Sequence, residues 1–163
     1  MRQFIHTPIG ILELCADQRK LRSVSLVEEI GESISNPILE KALTQLQEYF
    51  AQKRKEFELF FLANGTPFQI AVWSKMREIP YGKVVTYGQL AAAIGQPSAV
   101  RAVANAVGQN PLLILQPCHR VVASDGLGGF SAGLEAKRTL LHLEGVEISE
   151  NKAFSEKYLF TFS

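Results

Sequence analysis

Leu115-Gln116-Pro117-Cys118-His119-Arg120-Val121-Val122 places a thiol between a proline and an imidazole. Apolar segments flank this stretch on both sides, and a continuous apolar run of this length is typical of a buried strand. Pro117 interrupts the ladder of such a strand because it has no N–H to donate. We therefore predict a thiol on a rigid, largely buried bend, beside a group that can take its proton.

Two interpretations of Cys118 follow from the residues alone. Free cysteines are among the most buried residue types, so a cysteine in an apolar run is often only a core residue. Cys15 fits that description, since it lies in an apolar, strand-like run with no partner nearby. Cys118 is crowded by a proline, a histidine and an arginine, and nearby positive charge lowers the pKa of a thiol. The alternative interpretation of Cys118 is therefore a nucleophile.

The blocks around this cysteine resemble one family in sequence and in order. Pro117 to Val122 resembles the active-site signature of the O6-alkylguanine-DNA alkyltransferases, also called methylated-DNA–protein-cysteine methyltransferases. Further blocks that resemble the family are Thr66-Pro67-Phe68-Gln69, Val72-Trp73, Ile79-Pro80-Tyr81-Gly82, Thr86-Tyr87-Gly88-Gln89-Leu90-Ala91, Arg101-Ala102-Val103 and Asn110-Pro111. The resemblance is close from about Thr66 to Glu147 and loose in the first third of the chain.

The first third reads as a small α/β domain, residues 1–63. Arg2 to Ile5, Ile11 to Ala16 and Leu21 to Val27 are predicted strands, and the short turns between them predict an antiparallel sheet. Asn36 followed by Pro37 predicts the start of a helix. Phe57 to Leu62 is predicted as a further strand. The family resemblance implies a ribonuclease-H-like fold for this domain.

Residues 66–148 are predicted to form a second, mainly helical domain. Thr66 and Thr86 each begin a capping box, so helices should run from Thr66 to about Ile79 and through Ile94. Ser98 is predicted to cap a third helix, Ala99 to about Val107, which gives a helix-turn-helix arrangement. A last helix is expected from Glu135 to Leu143. The resemblance implies a winged-helix-like domain, and the whole chain is thus of the α+β class.

The remaining residues, 149–163, are interpreted as a tail. Four apolar side chains are expected to dock it, namely Phe154, Tyr158, Leu159 and Phe160. No segment approaches the apolar length that a membrane helix needs, and the N-terminus lacks the apolar core of a signal peptide. A working thiolate favours a reducing compartment, so a cytoplasmic protein is expected.

Charge is distributed unevenly along the chain, although the net charge is only +1. Between Pro80 and Ser124 there is no Asp or Glu, while Lys83, Arg101 and Arg120 are present. A surface without acids is compatible with a phosphate backbone. An ordinary apolar stretch with few charges would show the same pattern, so both interpretations remain open on this point.

The family resemblance implies a set of catalytic roles. Cys118 would accept an alkyl group from O6 of guanine, or O4 of thymine, in one irreversible transfer. His119 would accept the thiol proton through a water, because adjacent strand residues point to opposite faces. Glu144 would stand behind His119 and favour its protonated form. Tyr87 would donate its hydroxyl proton to N3 of the departing guanine.

The resemblance also implies residues that bind the base. Val121, through its carbonyl, and Ser131, through its N–H, would read the edge of the guanine. Asn110 would brace the turn before the cysteine segment. Phe130 would form part of the pocket wall, although many members of the family have tyrosine there. Ala132 stands where glycine is common.

The implied DNA contacts lie on the second helix of the helix-turn-helix. Arg101 would fill the gap left by a flipped nucleotide, while the helix enters the minor groove, whose readout is degenerate. The other candidate DNA-binding residues are Ala99, Ala102, Asn105 and Thr86. The implied partner is double-stranded DNA containing alkylated guanine, bound by a protein that is monomeric in solution and cooperative on DNA.

Two alternative functions use the same residues. A cysteine hydrolase would employ Cys118 and His119 but would need an oxyanion hole and a hydrolysable acyl-enzyme. A non-catalytic helix-turn-helix protein would bind DNA without needing the cysteine. No cofactor is expected. No metal is expected either, since the three histidines (His6, His119 and His142) show no zinc-ligand spacing with Cys15.

Overall fold

The computed structural model describes residues 1–148 and 154–163, which divide into two compact units. The first unit is Met1–Asn64 with Pro111–Leu113, and the second is Gly65–Asn110 with Ile114–Ser163. The return of three residues to the first unit was not expected from the sequence. The predicted start of the tail, at residue 149, lies outside the described residues.

The first unit contains the predicted antiparallel sheet. Strands β1 (Arg2–Thr7), β2 (Gly10–Ala16) and β3 (Leu21–Val27) lie in the order β1-β2-β3. Alternate side chains of β2 are buried, as the period of a half-buried strand requires. Helix α1 (Pro37–Phe50) packs on this sheet, and Asn36 caps it by accepting from the N–H of Leu39. The three strands and this helix are confirmed.

The strand predicted at Phe57 to Leu62 is wrong. This segment meets β3 through an isolated parallel bridge between Leu21 and Phe61. The N–H of Leu21 donates to the carbonyl of Phe60, and the N–H of Leu62 donates back to the carbonyl of Leu21. Burial alternates along the segment, with Phe57, Leu59 and Phe61 half-buried and Phe60 79% exposed. The period of a strand is therefore present, but a single bridge with two hydrogen bonds does not make a continuous ladder.

The second unit begins with α2 (Pro67–Met76), β4 (Val85–Thr86), α3 (Tyr87–Ala93) and α4 (Val100–Gly108). Both predicted capping boxes are present, at Thr66 and at Thr86. Ser98 was predicted to cap α4, which is wrong. The helix begins one residue later than expected, with Ala99 as its N-cap. Helices α2, α3 and α4 pack together, and α3 and α4 form the helix-turn-helix.

Two short strands join the remaining elements of the second unit. β4 pairs in parallel with β5 (Val121–Val122), and α5 (Leu134–Leu143) follows the glycine-rich loop. Val84 pairs with Leu159, so the predicted docking of the tail is confirmed for its described part. Phe154, Tyr158 and Leu159 pack against a cluster that contains Val84, Val122, Leu127, Leu141 and Val146. Among the described residues, every helix is too short or too polar to cross a membrane.

Candidate active site

Cys118 lies on a buried bend, as predicted, but the expectation that this segment is a strand is wrong. Cys118–Arg120 form a 3-10 turn that follows Pro117, and regular strand structure resumes at β5. The N–H of Cys118 donates to the carbonyl of Gln116, and the N–H of Arg120 donates to the carbonyl of Pro117. With three residues per turn, neighbouring side chains diverge around an axis rather than alternate. The side chains of Cys118 and His119 therefore need not point to opposite faces, as adjacent residues of a strand would.

Asn110 holds the approach to this turn, at the position where it was predicted to brace the chain. Its Nδ2 donates to the carbonyl of Gln116 at 2.7 Å, and Gln116 Nε2 donates to Asn110 Oδ1 at 2.9 Å. Between them, Ile114 has φ +73°, in the left-handed region that β-branched residues rarely adopt. Paired amides thus stabilise a backbone path that the residue types themselves disfavour.

The thiol of Cys118 lines a cavity of about 230 Å³ in the second unit. The cavity collects four residues that were predicted separately, namely Tyr87, Asn105, Phe130 and Ser131. They come from the start of α3, the exposed face of α4 and the glycine-rich loop. The side chain of Cys118 itself is almost fully buried, at 2% exposure. The cavity therefore presents a thiol to a small group that enters from the surface.

Burial raises the pKa of the Cys118 thiol to about 11, which corrects the prediction of a lowered pKa. Desolvation disfavours the thiolate, and this effect outweighs the hydrogen bond from Asn110 and the charge of Lys137, which act in the opposite direction. The resting thiol is consequently protonated at neutral pH. A nucleophilic role requires a neighbouring group that takes this proton.

His119 and Glu144 form a buried pair beside the cysteine turn. His119 Nε2 lies 2.6 Å from Glu144 Oε2, and both side chains are fully buried. An ionised carboxylate only accepts, so the proton of the imidazole lies on Nε2. Within residues 1–148 and 154–163, Nδ1 of His119 has no hydrogen-bond partner. Nδ1 of the neutral ring is therefore a free acceptor.

Glu144 acts on His119 in the predicted direction, towards the protonated form, but burial of the ring outweighs its effect on the pKa. Burial lowers the pKa of His119, and Glu144 only partly offsets this while the charges of Arg120 and Lys137 lower it further. Burial acts to raise the pKa of Glu144, but its contacts with His119 and Arg120 outweigh burial and hold that pKa well below its usual range. The structure therefore pairs a neutral imidazole with an ionised carboxylate.

Arg120 is a site residue that the sequence reasoning missed, and it was wrongly counted among the bases facing phosphate. It is buried, with Nε 2.9 Å from Glu144 Oε1 and Nη2 3.0 Å from Glu144 Oε2. Its Nη1 donates to the carbonyl of Ile79 at 2.7 Å. The sequence did contain a signal for this role. Arg120 directly precedes the apolar pair Val121-Val122, and an arginine in a buried segment needs an acidic partner.

Lys137 is the second residue that was missed. Its Nζ donates to the carbonyls of Val121 at 2.7 Å and Gly129 at 2.8 Å, and burial lowers its pKa to about 8. The Val121 carbonyl, which was expected to read guanine, thus accepts from Lys137 here. Its burial could have been predicted from the helical period, because Lys137 shares one face of α5 with Leu140 and Leu141, which are buried.

Tyr87 stands at the first position of α3, where the Thr86 cap sets its direction. Its hydroxyl donates to the carbonyl of Gly129 at 3.4 Å, and burial raises its pKa, so it remains a proton donor. Gly128, at φ +72°, packs directly on this ring. A Cβ at Gly128 would lie 2.7 Å from Tyr87 Cε2, so only glycine fits.

The candidate DNA-binding residues lie mainly on the outer face of α4. Arg101, Ala102 and Asn105 are exposed, whereas Ala99 is half-buried at the start of the helix. The opposite face of α4 is anchored by Trp73, whose Nε1 donates to the carbonyl of Ala106 at 2.8 Å. Trp73 is buried, as expected of a packing residue. Asn105 belongs to both the exposed face and the cavity, so α4 connects them.

Glu144 and Asn110 support the cavity from behind rather than lining it, and Thr86 acts as a cap. Across residues 1–148 and 154–163, His, Cys, Asp and Glu side chains do not assemble in groups of three or more that could hold a metal ion. The candidate catalytic residues are thus two that meet the cavity, Cys118 and Tyr87, and two buried behind it, His119 and Glu144.

Comparison with known proteins gives matches across both units. The 6-O-methylguanine DNA methyltransferase ribonuclease-like domain matches residues 1–63, and the DNA binding domain of the same family matches residues 67–146. The methylated-DNA–protein-cysteine methyltransferase of Haemophilus influenzae is 47% identical over 149 residues, covering 86% of this chain and 83% of that protein. The protein of that name from Methanosarcina acetivorans is 41% identical over 147 residues, covering 85% and 94%.

The fold agrees with these sequence matches. The crystal structure of Mycobacterium tuberculosis OGT in complex with DNA matches with a TM-score of 0.80 at 36% identity, covering 96% of this chain and 97% of that one. The family match over residues 67–146 includes the cysteine turn, the helix-turn-helix and the glycine-rich loop. The chain therefore belongs to the 6-O-methylguanine DNA methyltransferase family.

Proposed function

We propose that this protein repairs DNA by transferring an alkyl group from O6 of guanine, or from O4 of thymine, to Sγ of Cys118. The observation that carries the proposal is the cavity that joins the buried thiol to the exposed face of α4. That helix is the second of a helix-turn-helix, so one surface can hold DNA while the adjoining cavity holds a base. The family membership and the DNA complex of the M. tuberculosis relative support the same function.

The transfer is a displacement at a saturated carbon. Sγ forms a bond to the alkyl carbon as the bond from that carbon to O6 breaks. The electron pair of the broken C–O6 bond leaves with guanine. The thiol proton moves to Nδ1 of His119, through a water or directly, because Nδ1 has a free lone pair. Tyr87 donates its hydroxyl proton toward N3 of the purine, which offsets the charge on the leaving group.

The product is a thioether, which water does not hydrolyse as it does a thioester. Each molecule of protein therefore reacts once and is consumed. A cysteine hydrolase would instead turn over repeatedly through an acyl-enzyme. The raised pKa of Cys118 suits a thiol that is activated only when a base occupies the cavity.

The alkylated base must leave the duplex to reach Cys118, since O6 lies inside the base stack. Extrusion costs a few kcal/mol of stacking. Arg101, exposed on α4, fills the space that the base vacates, and Ala102 allows close approach of the helix to the minor groove. Ser131 binds the base edge in the cavity, with Phe130 as a wall. The protein acts as a monomer in solution and binds cooperatively on DNA.

Intact-mass spectrometry after incubation with O6-benzylguanine tests the proposal. We expect the mass of one benzyl group to be added, with fragmentation locating it on Cys118. The Cys15→Ala variant is the matched control and should gain the same mass. Release of several guanines per protein molecule, or a benzyl group on Cys15, would contradict single transfer to Cys118.

A further inference from the structure

The Glu144 carboxylate is shared between the histidine and the arginine of the cysteine turn. Oε2 accepts from His119 Nε2 at 2.6 Å and from Arg120 Nη2 at 3.0 Å. Oε1 accepts from Arg120 Nε at 2.9 Å and from the N–H of Gly82 at 3.1 Å. The guanidinium thus spans both oxygens in a bidentate pair, which is the strongest geometry for an arginine and a carboxylate.

This arrangement places two opposed charges next to one imidazole. A lone buried carboxylate would stabilise an imidazolium strongly, because opposite charges attract most where water is excluded. Here the guanidinium neutralises the same carboxylate within the same buried cluster. His119 therefore sees a nearly neutral ion pair through a single hydrogen bond to Nε2.

We propose that Arg120 is a positioning residue for the alkyl transfer: by holding Glu144 in a bidentate ion pair, it leaves His119 as a neutral imidazole that donates from Nε2 and accepts at Nδ1. Glu144 then orients the ring without protonating it in advance. This inference rests on the proposed function and adds a role for an arginine that touches neither the thiol nor the cavity.

The proposal defines where the proton goes when the bond to sulfur forms. The proton leaves Sγ of Cys118 and binds Nδ1 of His119, and the S–C bond replaces the C–O6 bond. The ring becomes an imidazolium only at that moment, when the nearby carboxylate stabilises the new charge. A ring already charged in the resting protein would have no lone pair for this proton.

The charged and titratable groups around His119 come from four parts of the second unit. They are Glu144 after α5, Lys137 within α5, Cys118 and Arg120 on the turn itself, and Tyr81 after α2. Arg120 and Lys137 both disfavour the imidazolium, and burial acts in the same direction. Lys137 hydrogen-bonds carbonyls rather than Glu144, so Arg120 controls the carboxylate.

The first test is the protonation state of His119 in the unreacted protein. Nitrogen-15 NMR of the histidine rings, assigned with His119→Asn, should show a neutral ring with its proton on Nε2 at neutral pH. This measurement needs no arginine variant, so it can overturn the proposal even if substitutions at Arg120 fail to fold. An imidazolium at neutral pH, or a proton on Nδ1, would overturn the proposal.

The second test compares Arg120→Gln and Arg120→Lys with Arg138→Gln, a matched change at an exposed arginine on α5. In Arg120→Gln the unshared carboxylate should charge His119, so the single-turnover rate with O6-benzylguanine falls about tenfold near pH 6 and about twofold or less near pH 8.5. Arg120→Lys keeps the charge and should fall between the wild type and Arg120→Gln. Arg138→Gln should leave the profile unchanged.

A purely structural role for Arg120 makes a different prediction. The rate would then fall by the same factor at every pH, the NMR state of His119 would not change, and the proposal would be wrong. Absence of any transfer to Cys118 in the wild type would instead contradict the proposed function. In that case NMR of the wild type and of Arg120→Gln still reports whether Arg120 keeps the ring neutral.

Discussion

The two cysteines of this protein occupy opposite kinds of environment. Cys15 lies in the middle sheet strand β2, paired with Arg2 of β1 and Ser23 of β3, and it is half-buried. Its Sγ lies 3.5 Å from Glu13 Oε1, two residues away. The strand partners of Cys15 come from the sheet itself, which has a register shift between Cys15 and Ala16.

Cys118 is more deeply buried than Cys15, and each thiol lines a cavity of its own, of about 230 Å³ for Cys118 and about 410 Å³ for Cys15. The groups that set the chemistry of Cys118 come from distant positions in the chain: Tyr87 and Asn110 before it, and Lys137 and Glu144 after it. Neither exposure nor a neighbouring cavity therefore decides by itself which thiol is functional. Cys118 is the candidate nucleophile because its cavity also holds Tyr87 and reaches the exposed face of α4, with His119 as a proton acceptor behind it.

The largest expected effect separates the two thiols by function. Cys118→Ala should abolish alkyl transfer while DNA binding remains, because the thiol is the acceptor and does not contact the duplex. Cys15→Ala should transfer at the wild-type rate. Demethylation of O6-methylguanine DNA and a gel-shift assay measure the two properties. Stoichiometric demethylation by Cys118→Ala would show that Cys118 is not the alkyl acceptor.

The next effect concerns helix α4, the candidate DNA-binding helix, which lines the Cys118 cavity and not the Cys15 cavity. Arg101→Ala should slow repair of duplex O6-methylguanine by roughly tenfold to a hundredfold, since an unfilled gap makes base extrusion costlier. Reaction with free O6-benzylguanine should hardly change. Arg101→Lys and two salt concentrations separate this role from a phosphate contact, which would reduce the salt slope by about one. Equal slowing on both substrates would place Arg101 in the fold or the pocket.

A smaller effect should follow from crowding the cavity wall. Gly128→Ala adds a methyl group against the Tyr87 ring and hydroxyl, so the transfer rate should fall about tenfold as the ring is displaced. In a Tyr87→Ala background the same substitution should cost much less, because the clash is removed. Single-turnover kinetics of the two single variants and the double variant measure the coupling. Additive effects would assign the loss to loop strain at φ +72° instead.

Protonation of Cys118 should appear as a dependence of stability on pH. Its pKa rises from 9.0 in an ordinary environment to about 11 in the fold, so the unfolded chain releases the proton first. The stabilisation is therefore complete below about pH 9 and is lost as the pH rises to about 11. Over this window the free energy of unfolding of the wild type should fall relative to Cys118→Ala by about 2 to 3 kcal/mol.

Urea unfolding at a series of pH values measures this difference, and Lys137 is present in both proteins. Cys15→Ala is measured in the same way and shows how removal of the other free thiol changes the free energy of unfolding. If the difference in free energy of unfolding between the wild type and Cys118→Ala stays constant from about pH 8 to about pH 11, burial does not raise the pKa of Cys118.

The smallest effect compares two capping boxes of the same type. Thr66→Ala and Thr86→Ala should each lower the free energy of unfolding by about 1 kcal/mol, since each removes a cap from a helix. Only Thr86→Ala should also slow reaction with O6-benzylguanine, because its helix begins with Tyr87. Equal rates in the two variants would mean that the cap does not position the tyrosine.

Much of the fold was visible in the sequence. The hairpin strands, the Asn36 cap, the two capping boxes and the last helix were predicted, because each depends on residues within a few positions of one another. The errors have the same explanation. Phe57 to Leu62 lacked a partner strand along its length, and the turn at Cys118 depends on the amide pair of Asn110 and Gln116, which apolar composition does not reveal.

The sequence by itself determined the two kinds of unit, the identity of the candidate nucleophile and the residues gathered around it by family resemblance. Only the tertiary structure decided how these groups are charged. His119 and Glu144 are 25 residues apart, and Arg120 and Lys137 act on them through burial and contact. Desolvation and ion pairing depend on distances in space, so no local pattern could predict a protonated thiol beside a neutral imidazole.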